Sequence, residues 1–151
     1  MMRVNTTRFG ELEIDSNKII AFPKGIPGFE NLRRFFILPV AGTEDIHWLQ
    51  AAEAPEVALM VIDPFKFFKD YTCDIPENDI EELELTSPEK PLVLTTITVP
   101  GGNPAGATAN LVAPIIINTE QNRAKQVIMS GSPYTTKHQL FGQKTSGGEG
   151  K

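Results

Sequence analysis

At 151 residues, with 40% hydrophobic and 22% charged side chains, the chain has the length and balance of one soluble domain with a real core rather than a disordered segment. Its net charge of −5 and pI of 5.0 weigh against nucleic-acid phosphates as a partner, and apolar runs such as 57–62 and 111–117, the second broken by Pro114, are too short to cross a bilayer. Cys73 is the only cysteine, which excludes an internal disulfide and a cysteine-rich zinc cluster; the N-terminus lacks the apolar run of a secretory signal, so a cytoplasmic protein is expected.

Elements follow in chain order. Glu11–Ile14 alternates polar and apolar, Asp15-Ser16-Asn17 turns, and 18–22 returns, which predicts a hairpin. Phe22–Glu30 reads FPKGIPGFE, where Pro23, Gly25, Pro27 and Gly28 dictate the backbone path and Phe22, Ile26 and Phe29 offer apolar anchors. This predicts a rigid packed corner. Short strands are expected at 34–40, 47–52 and 57–62, the last apolar on both faces and therefore interior. Asp63-Pro64 ends that strand and starts a turn.

Later strands are expected at 92–99, 107–117 and 124–129. In the second of these Pro114 cannot donate to a ladder, which implies an edge or a bulge, and Asn110 is placed to cap or cross-link a loop. The glycine-rich stretch 101–106 lacks the Lys-Ser/Thr of a phosphate loop and reads as a hairpin connection. The fold class predicted is all-β, mainly antiparallel, closed as a small β-barrel-like structure or a two-sheet sandwich with at most one or two short helices. One domain spans 1–141, and the polar, glycine-rich residues 142–151 are expected to be a disordered tail.

Charge is concentrated in one place. Asp74, Glu77, Asp79, Glu81, Glu82 and Glu84 fall within eleven residues that hold no base, while the remainder carries 13 acids against 14 bases. Such a patch attracts a basic surface. A short helix capped by Asn78, with Glu81 as its capping-box partner, accounts for part of the pattern equally well, because acids in a first turn suit the helix dipole.

Catalytic side chains are sparse. His47 and His138 are isolated from any ligand or triad spacing, so neither a metal nor another cofactor is expected. Phe65-Lys66-Phe67-Phe68-Lys69 interleaves aromatics with bases, a composition that stacks nucleotides, yet two bases followed at once by an acidic run disfavour that role.

FPKGIPGFE at 22–30, Trp48-Leu49-Gln50, 61–64, TANLVAPIIIN at 108–118, Gln126-Val127-Ile128 and Tyr134, in this order, resemble the FliW family of flagellar assembly factors over roughly residues 3–141. The resemblance implies a non-enzymatic β-barrel-like protein with two protein partners: flagellin, held before export, and CsrA, an RNA-binding repressor of translation that the freed protein antagonises. A monomer is expected when it is free. The six acids of 74–84 are the expected CsrA contact, and Phe65, Phe67, Phe68 and Tyr71 the expected apolar contact for flagellin. Pro23, Gly25, Pro27, Gly28, Phe29, Asn110 and Pro114 are read as structural. A generic β-barrel interaction module with another basic partner is the alternative.

Overall fold

The computed structural model describes residues 2–85 and 91–141; the expected tail at 142–151 lies outside them. The first strands, β1 (Met2–Thr6) and β2 (Gly10–Ile14), form a separate antiparallel hairpin. Thr6 closes its turn, with the hydroxyl donating to the Gly10 carbonyl at 2.9 Å and accepting from the Phe9 amide at 2.8 Å. The expected hairpin between 11–14 and 18–22 is therefore corrected. Asp15 caps a 3-10 turn at Ser16–Lys18 instead, and the chain departs for another sheet. A turn signal stops a strand without choosing its partner.

Next come β3 (Ile20–Ala21), β4 (Arg34–Pro39), β5 (Ile46–Ala51) and β6 (Ala58–Ile62), then two short helices, α1 (Pro64–Phe67) and α2 (Glu77–Glu82). The chain continues through β7 (Leu92–Thr98), β8 (Thr108–Ala109), β9 (Ile115–Asn118), β10 (Arg123–Gln126) and β11 (His138–Gln139). The order β7-β6-β5-β4-β3-β10-β9 closes on itself because β9 also pairs with β7, giving a seven-stranded barrel. All its pairings are antiparallel except β3 with β10. Beyond the closure β8 extends from β7, and β11 from β8. Closure removes the free edges that an open sheet of this size would expose.

The expected continuous strand over 107–117 is split. Asn110 leaves the β8 ladder, its side-chain oxygen accepting from the Ala113 amide at 3.1 Å, and Pro114 lends only its carbonyl, to the Val127 amide at 2.8 Å. The interruption lets one segment serve two ladders, β8 on the extension and β9 at the closure. Likewise the expected strand at 124–129 ends at Gln126.

The barrel interior holds Ile20, Phe22, Ile26, Phe35, Leu49, Ala51, Val61, Leu94, Ile115, Ile117 and Ala124. A second core gathers Ile62, Tyr71, Ile97, Ala107, Ala109, Leu111, Met129 and Leu140 beneath the extension, and a third sets Leu83 against Val93, Ile116 and Val127. Both faces of β9 are thus covered, and all four of its residues are buried.

Phe22–Glu30 seals one side of the interior. Phe22 meets Phe35 edge-to-face at 5.0 Å, Ile26 is buried beside it, and backbone bonds run from the Gly25 amide to Phe22 and from the Phe29 amide to Ile26. Phe29 is an exception to its expected anchoring role, because it is 37% exposed. Gly25 has φ +67° and a Cβ there would lie 2.6 Å from the Glu30 Cα, whereas Gly28 at φ +91° faces open space. Gly28→Ala is expected to cost about 1–2 kcal/mol from left-handed backbone strain alone, and Gly25→Ala at least about twice that because backbone must also move. Urea denaturation of both variants checks the ranking; equal losses would contradict it.

Candidate functional site

The acidic segment folds as α2, but not with the expected cap. Pro76 occupies the N-cap position, which has no side-chain hydrogen bond, and Asn78 lies inside the helix, so the Asn78–Glu81 capping box is corrected. Proline fixes the entry angle, and the two acids Glu77 and Asp79 in the first turn complement the N-terminal dipole. At the other end Glu84 takes φ +56°, a position usually filled by glycine, and the Leu85 amide reaches back to the Ile80 carbonyl. Buried Asn118 of β9 completes this terminus. Its amide group donates to the carbonyls of Leu83 at 2.8 Å and Glu84 at 3.3 Å, while its oxygen accepts from the amides of Glu120 and Gln121.

Docking divides the six acids into two sets. Lys125 of β10 donates to Asp79 and, at 2.8 Å, to Glu82, and Lys24 of the 22–30 loop approaches Glu82 at 2.9 Å. Arg123 pairs with Glu84 at 2.9 Å. The exposed side chains of Asp74, Glu77 and Glu81 make no ion pair with any described residue. The run that looks uniformly acidic in the sequence is therefore half matched by bases of the barrel and half open to solvent.

The aromatic candidates also part company. Tyr71 is buried, its hydroxyl donating to the Leu111 carbonyl at 2.8 Å, and Phe67 and Phe68 pack against the second core. Burial, and the neighbouring Cys73 and Tyr134, push the Tyr71 hydroxyl well above its ordinary pKa. Of the four, Phe65 alone is largely exposed, at 46%, and it leans on the Tyr71 ring with centroids 5.5 Å apart. Asp63 sets it there by capping α1 through the Phe65 amide at 2.9 Å.

Phe65 borders a groove of 380 Å³ with Tyr71, Thr72, Cys73, Ile75 and Val93. Across Thr72 lies a second groove, of 620 Å³, walled by Asp74, Pro76, Ile128, Pro133 and Tyr134. Ile128 is 60% exposed and was not among the expected contacts. Val127, Ile128 and Met129 are all apolar, so no alternation in the sequence marks Ile128; only in the fold are its two neighbours buried.

Cys73 is half-buried, and desolvation followed by the charge of Asp74 pushes its thiol up to about 11, so it is a thiol and not a thiolate near neutral pH. The His138 ring accepts from the Thr135 amide at 2.9 Å and packs edge-on to Tyr134 and Phe68. Among the described residues no three His, Cys, Asp or Glu side chains are grouped to hold a metal ion.

The clamp on α2 carries a pH signature. Hydrogen bonds from Lys125 and then Lys24 hold the Glu82 carboxyl below its ordinary range, and those to Asp79 and then Glu82 raise Lys125. The Glu82 contribution is complete above the unfolded glutamate value of about 4.3 and is lost as pH falls through the lowered folded value. That of Lys125 is complete below about 10.4 and is lost as pH rises through the raised one. Wild-type stability to urea should therefore fall more steeply than that of Lys125→Met as pH drops below about 4, and the two should converge; parallel acid limbs would contradict the clamp.

Comparison with known proteins agrees with this architecture. A family model described as "FliW protein" matches residues 3–140. The flagellar assembly factor FliW of Moorella thermoacetica is 47% identical over 148 residues, covering 98% of this chain and 94% of that protein. That of Thermosipho africanus is 45% identical over 139 residues, covering 92% and 95%. A crystal structure of the flagellar assembly factor FliW superimposes with a TM-score of 0.85 at 34% identity, covering 93% of this chain and 97% of the other. A family match over nearly the whole described barrel, with structural agreement at this level, leaves one conclusion: the chain belongs to the FliW family of flagellar assembly factors.

Proposed function

We propose that this flagellar assembly factor acts by binding two proteins and not by catalysis. It holds flagellin before export, as a chaperone would, and once flagellin is secreted the freed protein antagonises CsrA, so that flagellin synthesis follows secretion. The observation that carries the reading is the juxtaposition around 72–77. Asp74, open to solvent, walls the larger groove with exposed Ile128, exposed Phe65 edges the smaller and more apolar one, and the open acids Glu77 and Glu81 follow on α2.

The chemistry of each surface supports one partner. Unpaired carboxylates complement the basic surface of an RNA-binding repressor and speed its encounter. Exposed apolar side chains beside a groove complement the apolar stripe of an amphipathic helix, such as a filament subunit presents before assembly. Asp79, Glu82 and Glu84 are already engaged, which shifts the expected repressor contact onto the other three acids. Because Asp74 walls the larger groove, the two partners would crowd one another there.

Calorimetric titration with flagellin and with CsrA tests this. Glu77→Lys combined with Glu81→Lys should weaken CsrA binding about tenfold or more at low salt, with a smaller effect at high salt. Phe65→Ser combined with Ile128→Ser should weaken flagellin binding by a similar factor. Wild-type protein that binds neither partner, or variants with unchanged affinities, would overturn the proposal.

A further inference from the structure

A second set of acids, scattered in the sequence, is brought together at one end of the barrel. There β4 runs out, β5 begins, β6 gives way to α1, and β7 starts, leaving a hole of 240 Å³. Its apolar lining is Ile37, Leu92 and Leu94, and its polar lining is Glu44, Asp45, His47, Asp63 and Lys66. Strand alternation explains the lining. Ile37 and Leu49 face each other across β4 and β5, His47 precedes Leu49 by two, and Leu94 belongs to the interior. The hole is therefore the barrel's own interior reaching the surface, with Leu92 37% exposed at its lip.

We infer that this barrel mouth docks a single apolar side chain of a partner peptide whose neighbouring residues are lysine or arginine. Size comes first. The volume lies below the range of about 300–1,000 Å³ typical of small-molecule pockets, so it suits one leucine-sized side chain better than a cofactor. Charge comes second. Three carboxylates ring the hole against the single ammonium of Lys66, and Glu44, Asp45 and Asp63 make no ion pair with any described residue. An acidic peptide is repelled by that rim, and a neutral one gives the three carboxylates, of which Asp63 also caps α1, no opposite charge. The site shares no residue with the acids at 74–84 or with the grooves beside Phe65 and Ile128, so it stands or falls apart from the proposed partners.

The test uses the full chain with labelled methyl groups and the peptide acetyl-Gly-Lys-Leu-Arg-Gly-amide. Saturable NMR shifts are expected at the Ile37, Leu92 and Leu94 methyls, with dissociation in the millimolar range. Glu44→Gln combined with Asp45→Asn should weaken binding several-fold and flatten its salt dependence. Leu92→Lys should abolish it while methyls elsewhere keep their positions, which shows that the fold is intact. Absence of shifts at these methyls would overturn the inference. So would equal binding of the peptide with serine in place of leucine, or with glutamates in place of its bases.

Discussion

The structure depends on β9. Four residues, Ile115–Asn118, must pair on one side with β10 and on the other with β7, and both of their faces must be buried. Ile115 and Ile117 point to the barrel interior, while Ile116 points out to meet Leu83 beneath α2. A strand in that position has no solvent face, which is why three isoleucines stand in a row where an exposed-faced strand would alternate. The last residue, Asn118, is polar because it meets the end of α2, whose last carbonyls need donors. Barrel closure and helix docking are thus one event in the same four residues.

From that junction the charges take their places. Arg123 and Lys125, on the strand next to β9, sit under α2 and match Glu84, Asp79 and Glu82, and the 22–30 loop adds Lys24 from its own side. Lys125 and Asp79 are mostly shielded from solvent, where removing one partner leaves a charge poorly satisfied. What is left outward is a smaller and better defined surface than the acidic run implies. Asp74 walls the larger groove, and Glu77 and Glu81 stand exposed beyond it on α2.

Much of the fold was legible because its signals are local. The strands near 34–40, 47–52, 57–62 and 92–99 stand where alternation and turn residues place them, and the glycine-rich stretch at 101–106 does connect two paired strands. What was not legible was pairing. Glu11–Ile14 joins β1 rather than the residues after its turn, and the run through Asn110 and Pro114 divides between two ladders. Local sequence carries no term for the partner. The same limit governs the site. Nothing near Glu82 announces Lys125, more than forty residues away, and nothing in the spacing of Glu44, Asp45 and Asp63 reveals a common rim. Tyr71 and Phe65 look alike in the sequence, yet one hydroxyl is needed inside by Leu111 and the other ring lies outside. The Trp48-Leu49-Gln50 string finds its reason only in the fold, where the buried Gln50 amide reaches the carbonyls of Ala51, Ala54, Pro55 and Val57 and pins the β5–β6 turn.

Native-state hydrogen exchange tests the central role of the closing strand most directly. If β9 is the seam on which barrel and helix both depend, the amides of Ile115–Asn118 exchange only through global unfolding, with protection equal to that of β4 and β5, and their loss of protection coincides with that of the barrel. Exchange at β9 markedly faster than at β4 and β5, through a separate local opening, would show a barrel held shut by something other than this strand, and would contradict the account.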